Sequence, residues 1–312
     1  MMKKLSFLKN ITSSRKKMES KEAVIKNEYQ VGKYKMLIRG NHMIEAYQLQ
    51  FPLYDRFLPY FGSFFKGLII DIGANVGDTA LAIFNQNDDC FIIGAEPDSD
   101  FYEDCVANIQ HNGLTHRFVG VNKFISTKKG SFIIEKDGTS STGSINKNTS
   151  IEIEENAISF EGLLDMVPSD KLNQFDLLKV DTDGFDWDVL NSLADTKDLI
   201  NRKPRFIFFE MQTFLNNDAS KSFERKEMSE KYSDSLKRLQ DAGFTHFSLF
   251  DNFGTFVMTT NSLDKIVTLN EYIIRSQVYN KYSTIFYFDV LAFSSSDLDF
   301  VNDKISNFYK KV

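Results

Sequence analysis

The chain has 312 residues, with 37 lysines and arginines against 43 aspartates and glutamates, for a formal net charge of −6. This acidic balance provides no basic field and therefore excludes general nucleic-acid binding through the phosphates. Hydrophobic residues make up 42% of the chain, which excludes wholesale disorder. No run of 18 apolar residues occurs, so no transmembrane helix is predicted. Two cysteines cannot form a disulfide framework, which points to a reducing cytoplasm.

Residues 1–33 are predicted to form a basic, flexible segment. The apolar run of a signal peptide is missing. Leu5, Leu8 and Ile11 fit one face of a short basic helix, so weak contact with an anionic membrane surface is the alternative to a solvated terminus. Residues 34–66 are rich in aromatic side chains and are predicted to be an entry segment that packs on the core.

From residue 67 onward, apolar segments of strand length alternate with helical segments. The predicted strands are Leu68–Ile72, Phe91–Ala95, Phe118–Val121, Phe175–Val180, Arg205–Glu210, Phe247–Phe250, Thr255–Met258 and Ile285–Phe293. Continuous apolar strands between helices are typical of a mostly parallel sheet covered on both faces. The sequence therefore predicts an α/β domain over residues 67–293, followed by a C-terminal helix in residues 294–312. Residues 126–156 interrupt the pattern and are predicted to be a hairpin with a mobile loop, either a surface connection or a lid.

A glycine turn follows the first of these strands, in Asp71-Ile72-Gly73-Ala74-Asn75-Val76-Gly77-Asp78-Thr79. Gly73 lets the backbone approach a ligand that a Cβ would keep away. Asp78 or Thr79 is predicted to cap the next helix, whose free N–H groups offer a site for a carboxylate or phosphate. The third glycine of a dinucleotide fingerprint is missing, which argues against a nicotinamide cofactor.

Glu96 and Pro97 follow the second strand. Glu96 lies 19 residues beyond Gly77, close to the offset of about 20 at which a carboxylate binds ribose hydroxyls in nucleotide-binding α/β folds. Pro97 fixes the turn that presents this carboxylate. Together the two motifs predict a ligand with an adenosine-like ribose and a small anionic group, which suits S-adenosylmethionine better than a pyrophosphate.

A second cluster of charged residues follows the Phe175–Val180 strand. Asp181 and Asp183 are predicted to be functional, one of them as a general base, with Lys179 orienting them. Asp186 is predicted to cap the next helix. Glu210 ends the neighbouring strand at the matching level and would join the same pocket. If the protein needs Mg²⁺, Asp181 and Asp183 are its expected ligands, whereas no His/Cys spacing supports a zinc site.

Taken in order, these motifs resemble the FkbM family of methyltransferases. The similarity rests on the glycine turn, Glu96-Pro97 and Asn108, then on Lys179-Val180-Asp181-Thr182-Asp183-Gly184-Phe185-Asp186 and Phe209-Glu210. It extends more loosely to Tyr54-Asp55-Arg56-Phe57 and Tyr287-Phe288-Asp289-Val290. The resemblance implies a class I, Rossmann-like fold with a seven-stranded, mostly parallel sheet, S-adenosylmethionine as the cofactor and methylation of an oxygen. Many members have Glu-Gly-x-Glu where this chain has Asp183-Gly184-Phe185-Asp186, so these carboxylates reach one methylene less.

The predicted function is therefore S-adenosylmethionine-dependent O-methylation of a sugar, nucleotide sugar, surface polysaccharide or related metabolite in the cytoplasm. The expected cofactor-binding residues are Asp71, Gly73, Asn75, Gly77, Asp78, Thr79, Glu96 and Pro97, with Asn122 as a candidate for the adenine and Ser144 as a further contact. The expected catalytic residues are Asp181, Asp183, Lys179 and Glu210, with His246 as a competing base. Two alternatives stay open: a nucleotide-sugar oxidoreductase on a related fold, and a methyltransferase-like binding protein without turnover.

Overall fold

A computed structural model of the chain describes residues 26–39, 42–128, 133–136, 143–146, 156–213, 222–279 and 284–311. The basic N-terminus and most of the predicted lid loop lie outside these ranges. Within them, Lys26–Val31 (β1) pairs with Tyr34–Arg39 (β2) as an antiparallel hairpin. The flexible segment predicted for residues 1–33 therefore does not extend over its last residues.

Further strands and helices follow in chain order. The remaining strands are β3 (Leu68–Ile72), β4 (Phe91–Ala95), β5 (Phe118–Val121), β6 (Phe124–Ile125), β7 (Ile133–Lys136), β8 (Gly143–Asn146), β9 (Ala157–Ile158), β10 (Phe175–Val180), β11 (Phe206–Met211), β12 (His246–Asp251), β13 (Phe256–Thr260) and β14 (Phe288–Phe293). The helices are α1 (Ile44–Gln50), α2 (Phe57–Gly62), α3 (Asp78–Gln86), α4 (Ser99–His111), α5 (Phe160–Asp165), α6 (Ser169–Leu172), α7 (Asp186–Ala194), α8 (Leu199–Arg202), α9 (Ser222–Asp241), α10 (Leu263–Tyr279) and α11 (Leu298–Lys311). No helix in the described ranges is long and apolar enough to cross a membrane.

The large sheet has the strand order β13-β12-β14-β11-β10-β3-β4-β5. Strands β3, β4, β5, β10 and β11 are parallel, whereas β14 is antiparallel to both of its neighbours. The predicted mostly parallel α/β sheet is confirmed, and all eight strands predicted from the apolar pattern are present in it. The count of seven strands implied by the family resemblance is wrong. The eighth strand is β13, which turns back from β12 because the Asp251 carboxylate accepts the N–H groups of Phe253 and Thr255 and holds a tight turn.

Both faces of the sheet are apolar and covered by helices. Along β11, Phe206 packs towards α2 and α11, and the next residue, Ile207, packs towards α7 and α9. This alternation follows from the two-residue period of a strand and explains why the central strands read as unbroken apolar runs. Burial on both faces fixes the register of each strand, and with it the position of the turn that follows.

The carboxyl ends of β3, β4, β10 and β11 meet at one edge of the sheet, because these strands are parallel neighbours. Open α/β sheets bind ligands at this edge. The turns that follow the four strands, together with α1, surround the candidate site.

Candidate active site

A cavity of about 630 Å³ opens at the carboxyl edge of the sheet. One half is walled by the turns after β3 and β4 and by the start of α3. The other half is walled by α1 and by the segments before β13 and β14, and the turn after β10 lies between the two halves. A cavity of this size accommodates a nucleoside-sized ligand and part of a second molecule.

The glycine turn owes its shape to residues with left-handed backbone. Gly73, Asn75 and Gly77 have φ of 80°, 45° and 84°. A Cβ at Gly73 would lie 1.7 Å from the carbonyl oxygen of Asp181, so the turn packs directly against the backbone after β10. The close approach predicted for Gly73 is therefore an approach to this backbone. It fixes the distance between the two turns that border the cavity.

The start of α3 faces the cavity. Gly77 occupies the N-cap position and no side chain caps the helix, so the predicted capping role of Asp78 or Thr79 is wrong. Both side chains line the cavity instead. Because Gly77 has no side chain, the first N–H groups of the helix are not covered by a cap and favour an anionic group at this end.

Glu96 lies at the end of β4 and is 6% exposed. One carboxylate oxygen accepts the N–H of Asn75 at 2.9 Å, and the other accepts the N–H of Asp98 at 2.8 Å. Glu96 thus ties the glycine turn to the turn after β4. Each oxygen keeps a second lone pair, so the carboxylate is still able to accept a hydroxyl from a ligand. Burial raises the pKa of Glu96 to about 7, against the opposing effect of the two backbone donors.

The raised pKa of Glu96 predicts how stability depends on pH. The folded protein binds this proton more tightly than the unfolded chain, so the contribution to stability is complete below about pH 4.5 and is lost as the pH rises through about 7. The full loss is up to roughly 3 kcal/mol. Urea unfolding at about pH 5 and about pH 8 should show a larger decrease for the wild type than for Glu96→Gln. Equal decreases would contradict the assignment of this titration to Glu96.

Lys179 is buried between the two turns. Its Nζ lies 3.0 Å from Asp71 and 3.3 Å from Asp181, and it donates to the carbonyl oxygen of Gly73 at 2.8 Å. Burial alone would lower the pKa of Lys179, but Asp71 and Asp181 outweigh it and raise the pKa well above the usual value. Asp71 is buried behind the turn and does not line the cavity. Lys179 and Asp71 therefore hold the walls of the site in place.

Three carboxylates meet beside Lys179. One oxygen from each of Asp181, Asp183 and Glu210 lies within 4.8 Å of the other two. Asp183 has a left-handed backbone, with φ of 51°, which directs the chain after β10 back over the sheet edge. Burial, and then repulsion by Asp181 and Asp186, raises the pKa of Asp183 to about 8. Burial and the same neighbours raise the pKa of Glu210 well above its usual value.

Asp186 supports this cluster from behind. Phe185 rather than Asp186 occupies the N-cap position of α7, so the capping role predicted for Asp186 is wrong. Its carboxylate accepts the N–H and the hydroxyl of Thr182 at 3.2 and 2.9 Å, and the N–H of Glu210 at 3.2 Å. Asp186 therefore joins the turn after β10 to the end of β11.

The half of the cavity away from the glycine turn is aromatic and acidic. Tyr47, Phe51, Tyr54, Phe253, Phe286 and Tyr287 line it, together with Asp289, whereas Asp55 lies on the cavity wall close enough to Asp78 to be repelled by it. The Phe51 and Phe253 rings pack at a centroid distance of 4.4 Å. The sequence signals for this wall were the aromatic-rich segment 34–66, which was predicted to pack on the core, and the looser family similarity around Tyr54 and Tyr287. Tyr47, Phe51 and Phe253 carried no recognisable motif.

His42 was also missed as a site residue. Its Nε2 lies 3.4 Å from the side-chain oxygen of Asn75, and its Nδ1 accepts the N–H of Ile44 at 3.3 Å. The ring thus connects the start of α1 to the glycine turn. No motif around His42 indicated this position.

The structure separates the other predicted residues from the cavity wall. Asn122 donates to the carbonyl oxygens of Glu96 and Pro97 at 2.8 and 3.1 Å, and it supports their turn without lining the cavity. His246 begins β12 at the opposite edge of the sheet, packed against Phe293. Gly77 shapes the turn without lining the cavity. The side chain of Ser144 lies outside the described residues.

The cavity is rich in carboxyl groups, and burial raises the pKa of several of them, including Asp183 and Glu210. Nine aspartate and glutamate side chains line it, against the two lysines Lys123 and Lys179. Desolvated carboxylates are costly without a cationic partner. The cavity is therefore suited to a ligand that carries positive charge.

Comparison with known proteins gives one family match. The family model described as the methyltransferase FkbM domain matches residues 71–246, which is more than half of the chain. No curated protein matches the sequence.

Similarity to solved structures is weak. The chain is similar to the plantazolicin methyltransferase BamL, solved in complex with a triazolic desmethylPZN analog and SAH, at 10% identity and a TM-score of 0.41, over 80% of this chain and 86% of that one. It is also similar to precorrin-6y C5,15-methyltransferase from Geobacter metallireducens GS-15, at 10% identity and a TM-score of 0.35, over 76% and 86% of the two chains. TM-scores of this size support no inference about this chain.

Proposed function

The chain belongs to the family of the methyltransferase FkbM domain, and on that premise we propose that it transfers a methyl group from S-adenosylmethionine to a hydroxyl oxygen. The main support for this proposal is that the glycine turn, Glu96 and the turn with Asp181 and Asp183 all line the same acidic cavity. The mostly parallel sheet with helices on both faces supports the class I, Rossmann-like fold expected for such an enzyme, with β13 as an addition.

The residues of the cofactor half fit S-adenosylmethionine. Glu96 keeps free lone pairs for the ribose hydroxyls, and the uncapped start of α3 favours the amino-acid carboxylate. The acidic walls favour the ammonium and the sulfonium. When bound, this cofactor supplies an electrophilic methyl group on a positively charged sulfur. Family membership and this fit favour methyl transfer over the hydride transfer of an oxidoreductase.

The acceptor is proposed to occupy the aromatic half of the cavity. Aromatic rings such as Tyr47 and Phe51 provide flat apolar surface, and carboxylates such as Asp289 accept hydroxyl groups, a combination that suits a sugar or a polyhydroxylated metabolite. This placement brings an acceptor hydroxyl between the cofactor half and the carboxylates after β10. The enzyme then contributes alignment of the two reactants and exclusion of water.

The hydroxyl must lose its proton as the new bond forms. The oxygen–carbon bond forms while the carbon–sulfur bond breaks, and the sulfur keeps the electron pair. Asp181, Asp183 and Glu210 face this point, and we propose that they prepare the hydroxyl for attack. Two mechanisms would use these three side chains. In the first, one carboxylate takes the proton as a general base. In the second, the carboxylates hold a cation that lowers the pKa of the hydroxyl, and the proton leaves to water.

The cofactor assignment predicts a thermal shift that depends on Glu96. S-adenosylhomocysteine should raise the melting temperature of the wild type, because a ligand that binds only the folded state stabilises it. Glu96→Ala should lose most of this shift, measured against the melting temperature of the same variant without ligand. Glu103→Ala removes an exposed carboxylate from α4 and should keep the shift. An undiminished shift in Glu96→Ala would overturn the role of Glu96.

A further inference from the structure

The cluster of Asp181, Asp183 and Glu210 has the dimensions of a cation site. Their oxygens lie within 4.8 Å of one another, and opposite oxygen ligands of a hard divalent cation lie about 4 to 5 Å apart. Glu210 belongs to β11, and Asp181 and Asp183 lie in the turn after β10, which is the neighbouring parallel strand.

Glu210 carries an oxygen that nothing in the described part of the chain satisfies. The residue is 8% exposed, and although Tyr287 hydrogen-bonds to its carboxyl group, the Oε2 atom is buried without a hydrogen-bond partner. An unpaired buried carboxylate oxygen costs free energy, because water is lost and no donor replaces it. The orphan oxygen therefore points to a missing cationic partner in the cluster.

Lys179 does not supply that partner. An ammonium group has three N–H donors. Its three close contacts are with Asp71, Asp181 and the carbonyl oxygen of Gly73. Among the described residues, Nζ forms ion pairs with Asp71 and Asp181 and with neither Asp183 nor Glu210. The second lining lysine, Lys123, follows β5, and three strands lie between β5 and β11.

We propose that Asp181, Asp183 and Glu210 bind a hard divalent cation of the Mg²⁺ or Mn²⁺ type. Three carboxylate ligands leave open coordination positions, and the cluster faces the aromatic half of the cavity, where hydroxyl oxygens are suitable further ligands. The binding of the cation stands on the geometry alone. Its role in positioning and activating an acceptor hydroxyl rests on the proposed methyl transfer.

A Mn²⁺ titration of the full chain, followed by the electron paramagnetic resonance signal of free Mn²⁺, tests the proposal. The wild type should bind one ion per chain, and Mg²⁺ should compete for it. Asp183→Asn and Glu210→Gln should each weaken binding by about tenfold or more, since each removes one charged ligand. The control Glu103→Gln removes an exposed carboxylate from α4, outside the cavity wall, and should change the affinity by less than about threefold.

Two results would overturn the proposal: no saturable Mn²⁺ binding to the wild type, or equal binding by the wild type, Asp183→Asn and Glu210→Gln. The melting temperature of each variant shows whether it is folded, and the wild-type result does not depend on any variant. If the wild type binds S-adenosylhomocysteine but does not bind Mn²⁺, the cation site is refuted and the proposed methyl transfer still stands. If the wild type binds Mn²⁺ but does not bind S-adenosylhomocysteine, the cation site stands and the proposed methyl transfer is refuted.

Discussion

Replacing Asp183 by asparagine is expected to leave the affinity for S-adenosylhomocysteine unchanged and to lower methyl transfer by about 10²- to 10⁴-fold. The substitution keeps the shape of the side chain but removes its charge, so it neither takes up a proton nor holds a cation firmly. Asparagine tolerates the left-handed backbone of residue 183, so the turn should keep its conformation. The loss should therefore fall on the reaction and not on folding.

Asp198→Asn is the matched control for this variant. Asp198 has φ of 53°, close to the 51° of Asp183, but it is exposed at the start of α8 and far from the cavity wall. The assay is transfer of a labelled methyl group from S-adenosylmethionine to an extract of cells that lack the gene, because the acceptor accumulates unmethylated there. Activity of Asp183→Asn equal to that of Asp198→Asn would exclude Asp183 from the reaction.

The largest effect on stability is expected for Gly73→Ala. The added Cβ would lie 1.7 Å from the carbonyl oxygen of Asp181, so the turns after β3 and β10 must move apart. Left-handed strain alone costs about 1–2 kcal/mol, and displacing packed backbone adds a comparable or larger amount. Because domains are stable by only about 5–15 kcal/mol, we expect a loss of roughly 3 kcal/mol or more, or no folded protein.

Gly113→Ala separates the two contributions. Gly113 has φ of 72°, similar to the 80° of Gly73, but a Cβ there meets nothing within 4 Å. This variant should lose only about 1–2 kcal/mol in urea unfolding, the cost of the left-handed backbone. Equal losses in the two variants would show that contact with Asp181 does not constrain Gly73. A folded Gly73→Ala should also bind S-adenosylhomocysteine more weakly, since the glycine turn borders the cofactor half.

Most of the central strands could be predicted from the sequence, because what identifies them is a pattern of neighbouring residues. Both faces of β3 and β10 are buried, so the strands appear as apolar runs that end where a glycine or an aspartate begins a turn. The glycine turn and Glu96 were recognisable for the same reason, since each lies directly after such a strand. The Thr255–Met258 strand was predicted as well and is β13; only the count of seven, which came from the family resemblance, leaves it out.

The predicted residues that lie away from the cavity wall are placed by contacts distant in sequence. Asn122 lies close to the cofactor turns, but its amide is occupied by the carbonyl oxygens of Glu96 and Pro97. His246 precedes β12, and the direction of that strand carries it to the opposite edge of the sheet. The aromatic wall brings α1 together with the segments before β13 and β14, about 200 residues later in the chain. No local pattern reports such long-range contacts.

The most direct test of the central claim is a calorimetric titration of the wild-type chain with S-adenosylhomocysteine, run beside a titration with NAD⁺. Both ligands carry an adenosine ribose, and only the first carries an amino-acid group for the start of α3 and the acidic walls. The account predicts saturable binding of one S-adenosylhomocysteine per chain and no binding of NAD⁺. Binding of NAD⁺ alone, or of neither ligand, would contradict it.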